Sequence, residues 1–162
     1  MNVSLKENII SLLSSFNFNF ELLHHDFVHR SEQAASIRGN SLSQAAKAII
    51  LRVKDKNRES DFIMCVLPGD MLIDFKFLKS FLSLKSISLA TPQEVFLLSG
   101  CEIGSVPPFG NLFGIKVFFE KTLLDNSDVV FSVASHFDSV KINPNDLCVA
   151  NKGEVLCFAF KK

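Results

Sequence analysis

The sequence predicts an α+β fold: a mixed, partly closed barrel-like β-sheet flanked by helices. Three observations carry that reading. Apolar runs of strand length, bounded by turn residues, outnumber the segments with helical periodicity. The helical segments are interspersed among those runs and carry their own start and stop signals. No repeat, low-complexity tract or linker divides the 162 residues, so a single domain over residues 1–162 is expected.

Leu5, Ile9, Leu12, Leu13 and Phe16 recur at helical spacing, which predicts an opening amphipathic helix broken at Asn17 and Asn19. Phe20–His25 reads as a short strand. Ser31 can cap a helical piece over Glu32–Ile37 that Gly39 ends, and Ser41 or Ser43 starts a second piece. That piece runs into a strand over Ala48–Lys54. Alternation puts Ile49, Leu51 and Val53 on an apolar face, and Ala48, Ile50, Arg52 and Lys54 on one that turns polar. Lys47 falls on the apolar face. An ammonium there either snorkels to water at the strand's end or holds a partner. Lys54–Ser60 is a hairpin connection into a second apolar strand, Asp61–Leu67, closed by Pro68-Gly69-Asp70. The basic residues around that hairpin either touch phosphates or simply solvate a turn.

Asp74 caps a helix with Phe75, Leu78, Phe81 and Leu82 on one side, and Lys85–Leu89 is a short strand. Thr91-Pro92-Gln93-Glu94 is a capping box with proline at the first helical position, and the helix it opens ends at Gly100. Strands follow over Gly114–Phe119, Val129–Val133 and near Phe137–Ile142. Asn143-Pro144 opens a last helix, Asn145–Ala150, which Gly153 ends. Val155–Phe160 is a terminal strand.

Composition narrows the function classes. The 17 Lys+Arg balance the 17 Asp+Glu, so the chain lacks the positive excess of a general polyanion binder. Touching one end of a nucleic acid needs few phosphates and stays open. With 17 Phe and no Trp or Tyr, the core is phenylalanine-rich and phenolic chemistry is absent. The cysteines show no C-x-x-C pairing and no signal peptide precedes them, which predicts reduced thiols in a cytoplasmic protein. Cys65, Cys148 and Cys157 lie in apolar runs and read as small core residues. Cys101 stands in a loop, either packed or reactive, with no base beside it in sequence. No apolar run is long enough to cross a membrane. There is no G-x-G-x-x-G, Walker loop or G-x-S-x-G elbow, and the four histidines lack metal spacing. Neither a cofactor nor a metal is expected.

The most informative stretch is Gly100–Gly110, which holds three of the seven glycines and two of the five prolines. Proline fixes φ, and glycine allows angles other residues avoid while leaving its N–H open to a ligand. The result is a stiff loop. It serves either as a tight connection without chemistry or as a cradle for a small polar group.

Several stretches occur in a telling order. They are His25-Asp-Phe-Val-His-Arg-Ser-Glu-Gln-Ala-Ala-Ser-Ile-Arg-Gly39, Ala45-Ala-Lys-Ala-Ile49, Leu67-Pro-Gly-Asp70, the stiff loop with Phe113-Gly114, and Ser135-His136. In this order they resemble the YbaK / prolyl-tRNA-synthetase-associated domain family, over nearly the whole chain from Leu22 onward. Members of that family are aminoacyl-tRNA deacylases that clear mischarged tRNA, or editing domains within prolyl-tRNA synthetase. The ordered set is specific to the family and not to a substrate. The resemblance implies a YbaK-like mixed, barrel-like sheet. It matches Lys47 to the family's functional lysine, and Gly104-Ser-Val-Pro-Pro108 to the G-x-x-x-P loop lining its site. One departure stands out: Ser132-Val133-Ala134 occupies the place where many relatives carry asparagine, alanine and glycine.

The resemblance implies trans-editing hydrolysis of a mischarged tRNA ester, with Lys47 and Gly104 as catalytic residues. A loop N–H such as that of Gly104 stabilises the oxyanion, roughly 3–4 kcal/mol for one good donor. Lys47 binds the terminal phosphate or the substrate's polar groups, or supports the developing charge. Amine and loop are expected to converge on one carbonyl. Ser105, Val106, Pro107, Pro108, Phe109, Ser135 and His136 are expected to bind the substrate. Val106, Pro107 and Phe109 would build a small wall favouring alanine, cysteine or serine esters, at about 1–3 kcal/mol per methylene. No general base is evident, so the neighbouring ribose hydroxyl is expected to aim the water. The expected partners are the tRNA acceptor end and, as a source of borrowed affinity, an aminoacyl-tRNA synthetase. Two other classes compete: a non-catalytic tRNA- or synthetase-binding module of the same fold, and a small-molecule hydrolase using Cys101.

Overall fold

The computed structural model describes residues 2–27 and 41–162, with backbone alone for residues 2–4. The expected helical piece over Glu32–Ile37 and its stop at Gly39 lie outside the described residues.

Helix α1 (Asn2–Ser15) buries Ile9 and Leu13 completely and stops before Asn17, which adopts a left-handed φ of 59°. Strand β1 (Phe20–His24) follows. The piece expected after Ser41 is a short 3-10 turn, Leu42–Gln44, whose Gln44 Oε1 accepts the Ser41 N–H at 3.0 Å. Strands β2 (Ala46–Lys54) and β3 (Ser60–Pro68) pair antiparallel along their whole length, from Ala46 opposite Pro68 to Lys54 opposite Ser60. The connection between them closes on Asp55 Oδ1, which accepts the N–H groups of Asn57 and Glu59.

Strand β4 (Met71–Ile73) is too short to register as alternation in the sequence. Helix α2 (Phe75–Phe81) starts where expected, with Asp74 Oδ1 accepting the Phe77 N–H at 3.0 Å. After β5 (Ser86–Leu89), helix α3 (Pro92–Ser99) carries both bonds of the capping box: Glu94 N–H to Thr91 Oγ1 at 3.1 Å, and Thr91 N–H to Glu94 Oε2 at 2.9 Å. It ends on Gly100 at φ 73°. Strands β6 (Lys116–Glu120), β7 (Val129–Ser132) and β8 (Asp138–Ile142), helix α4 (Pro144–Asn151), and strands β9 (Glu154–Leu156) and β10 (Ala159–Lys161) complete the chain.

The architecture is α+β with a mixed sheet, as expected; among the described residues no sheet closes into a barrel. The five-stranded sheet has the order β5-β2-β3-β6-β9, with β6 parallel to both β3 and β9. A second, antiparallel sheet has the order β1-β8-β7, and β10 pairs antiparallel with β4. One parallel bridge, Ala45 to Val130, ties the start of β2 to β7.

Two expectations at the C-terminus are corrected. The terminal strand is two strands in different sheets, bent apart at Cys157-Phe158. The buried Glu120 fixes the bend: its Oε1 accepts the N–H groups of Phe158 at 3.1 Å and Ala159 at 2.9 Å. The left-handed residue ending α4 is Lys152, at φ 52°, and not Gly153. Gly153 is small for a different reason, since a Cβ there would lie 2.4 Å from the Phe119 ring.

The large sheet separates two apolar clusters. Ala46, Ile50, Met64 and Val66 face α1, α4 and the three-stranded sheet. Leu51, Val53, Ile63, Cys65 and Leu67 face α2 and β10. Phe109, Phe118, Phe119, Phe131 and Phe158 are fully buried, each contributing on the order of 3 kcal/mol by leaving water.

Candidate functional site

The stiff loop is built by short-range chemistry and then clamped from a distance. After Gly100, the Ser105 N–H and Oγ both donate to the Glu102 carbonyl, at 3.0 and 2.8 Å. Gly104 is the third residue of that turn and takes φ 94°. A turn with positive φ at this position suits glycine, because a Cβ would crowd the following carbonyl. Further on, the Phe109 N–H donates to Pro107 O at 2.8 Å. Asn151 of α4, buried, donates from Nδ2 to Pro108 O at 2.6 Å and to Leu147 O at 3.2 Å. The two prolines and this amide set the loop's course.

A hollow of about 460 Å³ opens between the start of α1, the Glu102–Ser105 turn and the link from β7 to β8. Helix α1 contributes Lys6 and Glu7, the turn contributes Glu102 and Ser105, and the link contributes residues 134–138. Of the expected site residues, Ser105, Ser135 and His136 line it. Gly104 is exposed in the same turn as Ser105. Val106, Pro107, Pro108 and Phe109 do not line it. Pro107 and Pro108 are buried, Val106 is partly buried and packs against the core cluster, and Phe109 belongs to that cluster, its ring centroid 5.6 Å from that of Phe131. Of the expected steric wall, Pro107 and Phe109 are covered by protein in this conformation, while Val106 keeps part of its surface exposed.

The link is tightly held. The Phe137 N–H donates to Ser135 Oγ at 2.9 Å, the Val133 N–H to Asp138 O at 3.2 Å, and the His25 N–H to Phe137 O at 2.9 Å. Ala134 adopts a left-handed φ of 60°, at a position where the family pattern has glycine, and such a conformation costs a residue with a Cβ roughly 1 kcal/mol. The His136 ring lies against that of Phe27, centroids 4.7 Å apart, with its Nε2 3.4 Å from a Glu102 carboxylate oxygen. Asp138 sits 2.9 Å from His24 Nδ1 and 3.4 Å from Lys6 Nζ. Burial pushes the Asp138 carboxyl up. The bond from His24, the charge and bond of Lys6 and a bond from Ser135 more than offset that, and hold it below its ordinary value.

Lys47 sits in β2 opposite Leu67, and alternation groups it with Ile49, Leu51 and Val53. Its half-buried amine donates to Met71 O at 3.1 Å, and it is not part of the hollow's lining. Among the described residues, the amine holds the Met71 carbonyl while Ser105 of the loop lines the hollow. The backbone is nearer than the amine suggests: two residues beyond the Ala45–Val130 bridge, the parallel strands carry Lys47 and Ser132, and Ser132 leads into the link.

Cys101 is fully buried, its thiol donates to Ser99 O at 3.6 Å, and burial pushes that thiol up. It is a packing residue. Cys157 is exposed and so is not the core residue its apolar neighbours suggested, while Cys65 is buried as expected. Sequence reasoning missed Lys6, Glu102, Phe27, Asp138 and Asn151. Only Asn151 carried a usable signal: an amide closing the apolar turn Leu147-Cys-Val-Ala-Asn151 has to find partners inside.

The family model for the aminoacyl-tRNA editing domain matches residues 25–148. The chain is 32% identical over 132 residues to the multifunctional Ser/Thr-tRNA deacylase ProXp-y of Escherichia coli, covering 82% of this chain and 78% of that one. It is 25% identical over 144 residues to the proline–tRNA ligase of Thermosipho melanesiensis, covering 83% of this chain and 24% of the ligase. A solved structure described as a candidate trans-editing enzyme for prolyl tRNA synthetase superposes with a TM-score of 0.80 at 19% identity, covering 97% of this chain and 96% of that one.

Proposed function

This chain belongs to the aminoacyl-tRNA editing domain family, and from that premise we propose that it hydrolyses the ester of a mischarged tRNA carrying a small hydroxylated amino acid, serine first. The observation that supports serine is the hollow, whose lining sets the polar groups of Ser105, Ser135 and His136 beside Ala134. Serine is also where two independent supports overlap. A small site accommodates alanine, cysteine and serine, and the similar E. coli protein is named for serine and threonine.

In the proposed reaction a water oxygen attacks the ester carbonyl carbon, the bond from that carbon to the ribose oxygen breaks, and the water's proton passes to that oxygen. The products are a free amino acid and the deacylated tRNA. The Gly104 N–H holds the developing oxyanion. The adjacent ribose hydroxyl orients the water. Ser105, Ser135 and His136 hold the amino-acid side chain. Lys47 serves the ester by exchanging the Met71 carbonyl for the substrate, a swing its four-carbon stem allows. The acceptor end of the tRNA is the partner, with a synthetase as a source of added affinity.

The test is a deacylation panel with tRNA charged with alanine, cysteine, serine, threonine or proline. The expected result is serine hydrolysed fastest, at least about tenfold over alanine, with Lys47→Ala strongly impaired. Binding of the charged tRNA with no ester hydrolysed above the buffer rate would identify a binding module instead.

A further inference from the structure

We propose that Phe137, backed by Phe27, is a stacking platform for the terminal adenine of the aminoacylated acceptor end; this rests on the deacylase reading above. Both rings are large, apolar and about half exposed, Phe137 at 47% and Phe27 at 48%. They meet edge to face with centroids 5.6 Å apart, and Phe27 also lies on the His136 ring. Phe137 is itself part of the hollow's lining. The aromatic surface is therefore continuous with the place assigned to the ester.

The backbone under Phe137 is held from two sides. Its N–H bonds to Ser135 Oγ, and its carbonyl accepts the His25 N–H. A ring on so fixed a segment loses little freedom on meeting a flat partner, which is the condition for efficient stacking. The chemistry of the substrate supplies that partner. The ester sits on the terminal ribose, and the base on the same sugar is single-stranded and has both faces available. Proteins take hold of such bases by stacking them on aromatic side chains. The chain is neutral overall, and among the described residues the one lysine lining the hollow, Lys6, already faces Asp138 at 3.4 Å. A stacking contact beside the ester would hold the acceptor end without many phosphate contacts.

The probe is a tRNA carrying serine through a non-hydrolysable amide, with 2-aminopurine in place of the terminal adenine. Wild-type protein is expected to quench its fluorescence on binding. Phe137→Leu should lose the quench and weaken binding by roughly 5- to 150-fold, the range for one stacked base. Phe137→Trp should restore both. Because the chain has no Trp or Tyr, that variant also carries a lone indole whose own quenching reports the contact from the protein side. With seryl-tRNA, Phe137→Leu should raise KM by a similar factor and leave kcat within a few-fold. If wild-type protein hydrolyses the ester while Phe137→Leu keeps wild-type KM and quenching, the platform is overturned and the deacylase stands. A drop in kcat at unchanged KM overturns it as well. Absence of ester hydrolysis by the wild-type protein removes the reading beneath it.

Discussion

Two glycines with similar backbone angles separate strain from catalysis. Gly104 takes φ 94° in the turn at the hollow, and Gly114 takes φ 73° at the end of the 3-10 turn before β6. A Cβ added at Gly114 meets nothing within 4 Å, so alanine there introduces backbone strain and no clash. Left-handed alanine costs roughly 1–2 kcal/mol. Restricting the unfolded chain returns about 0.4–1 kcal/mol, which leaves about 0.5–1 kcal/mol of net destabilisation. For a chain of this length that lowers Tm by roughly 1–4 °C. Gly104→Ala should lose at least as much, because φ 94° lies further from the left-handed well that alanine can occupy. The two variants should part company in activity. Realigning the turn moves the Gly104 N–H off the oxyanion, and kcat for seryl-tRNA should fall by about 10²–10³, while Gly114→Ala stays within about threefold of wild type. Melting followed by circular dichroism and deacylation rates at 25 °C, well below both midpoints, give the comparison. Equal activity in the two variants, whether both high or both low, refutes the role assigned to the Gly104 N–H.

Two further outcomes are expected. Asp138 has its carboxyl held below the ordinary value of 3.8, so its ionised form contributes stability that is fully present above that pH and is lost as pH falls through the depressed folded value. Asp138→Asn should therefore flatten the stability–pH curve in the window just below pH 3.8, and an unchanged acid limb in urea melts would show the carboxylate unbonded in solution. Alkylation of the native protein with iodoacetamide should modify exposed Cys157 first and leave deacylation intact. Burial pushes the Cys65 thiol up to about 12 and raises those of Cys101 and Cys148 as well. Activity lost in proportion to modification of Cys101 would revive the thiol hydrolase.

What was legible in the sequence was local. The capping box at Thr91, the caps at Asp74 and Asn143, the stop at Gly100 and the two-faced alternation of β2 all depend on residues within one or two turns, and each is in place. What was hidden depends on distant partners. No pattern near residue 151 says that its amide will reach Pro108, and nothing near Val155–Phe160 says that Glu120 will bend the strand in two. Gly153 looked like a helix stop because glycine is common there. Its smallness answers instead to Phe119, more than thirty residues earlier in the chain.

The same distinction decides how the site discriminates. Beside a glycine loop, Val106, Pro107 and Phe109 look in one dimension like the walls of a small apolar pocket. In three dimensions apolar surface is drawn first into the core, where Phe109 meets Phe131, because leaving water is the largest stabilisation open to it. What lines the hollow is mixed: Ser105, Ser135, His136 and Glu102 stand beside Ala134 and the Phe137 ring. Under the proposed reading such a wall offers hydrogen-bonding groups alongside apolar contact. These groups already have protein partners, Ser105 Oγ donating to Glu102 O and Ser135 Oγ accepting the Phe137 N–H, so a ligand hydroxyl would join an existing network. Alanine and serine differ by that one oxygen, so under the proposed reading the ratio of their deacylation rates reads how far the hollow uses it, whereas a wall of Val106, Pro107 and Phe109 would have accepted alanine, cysteine and serine alike.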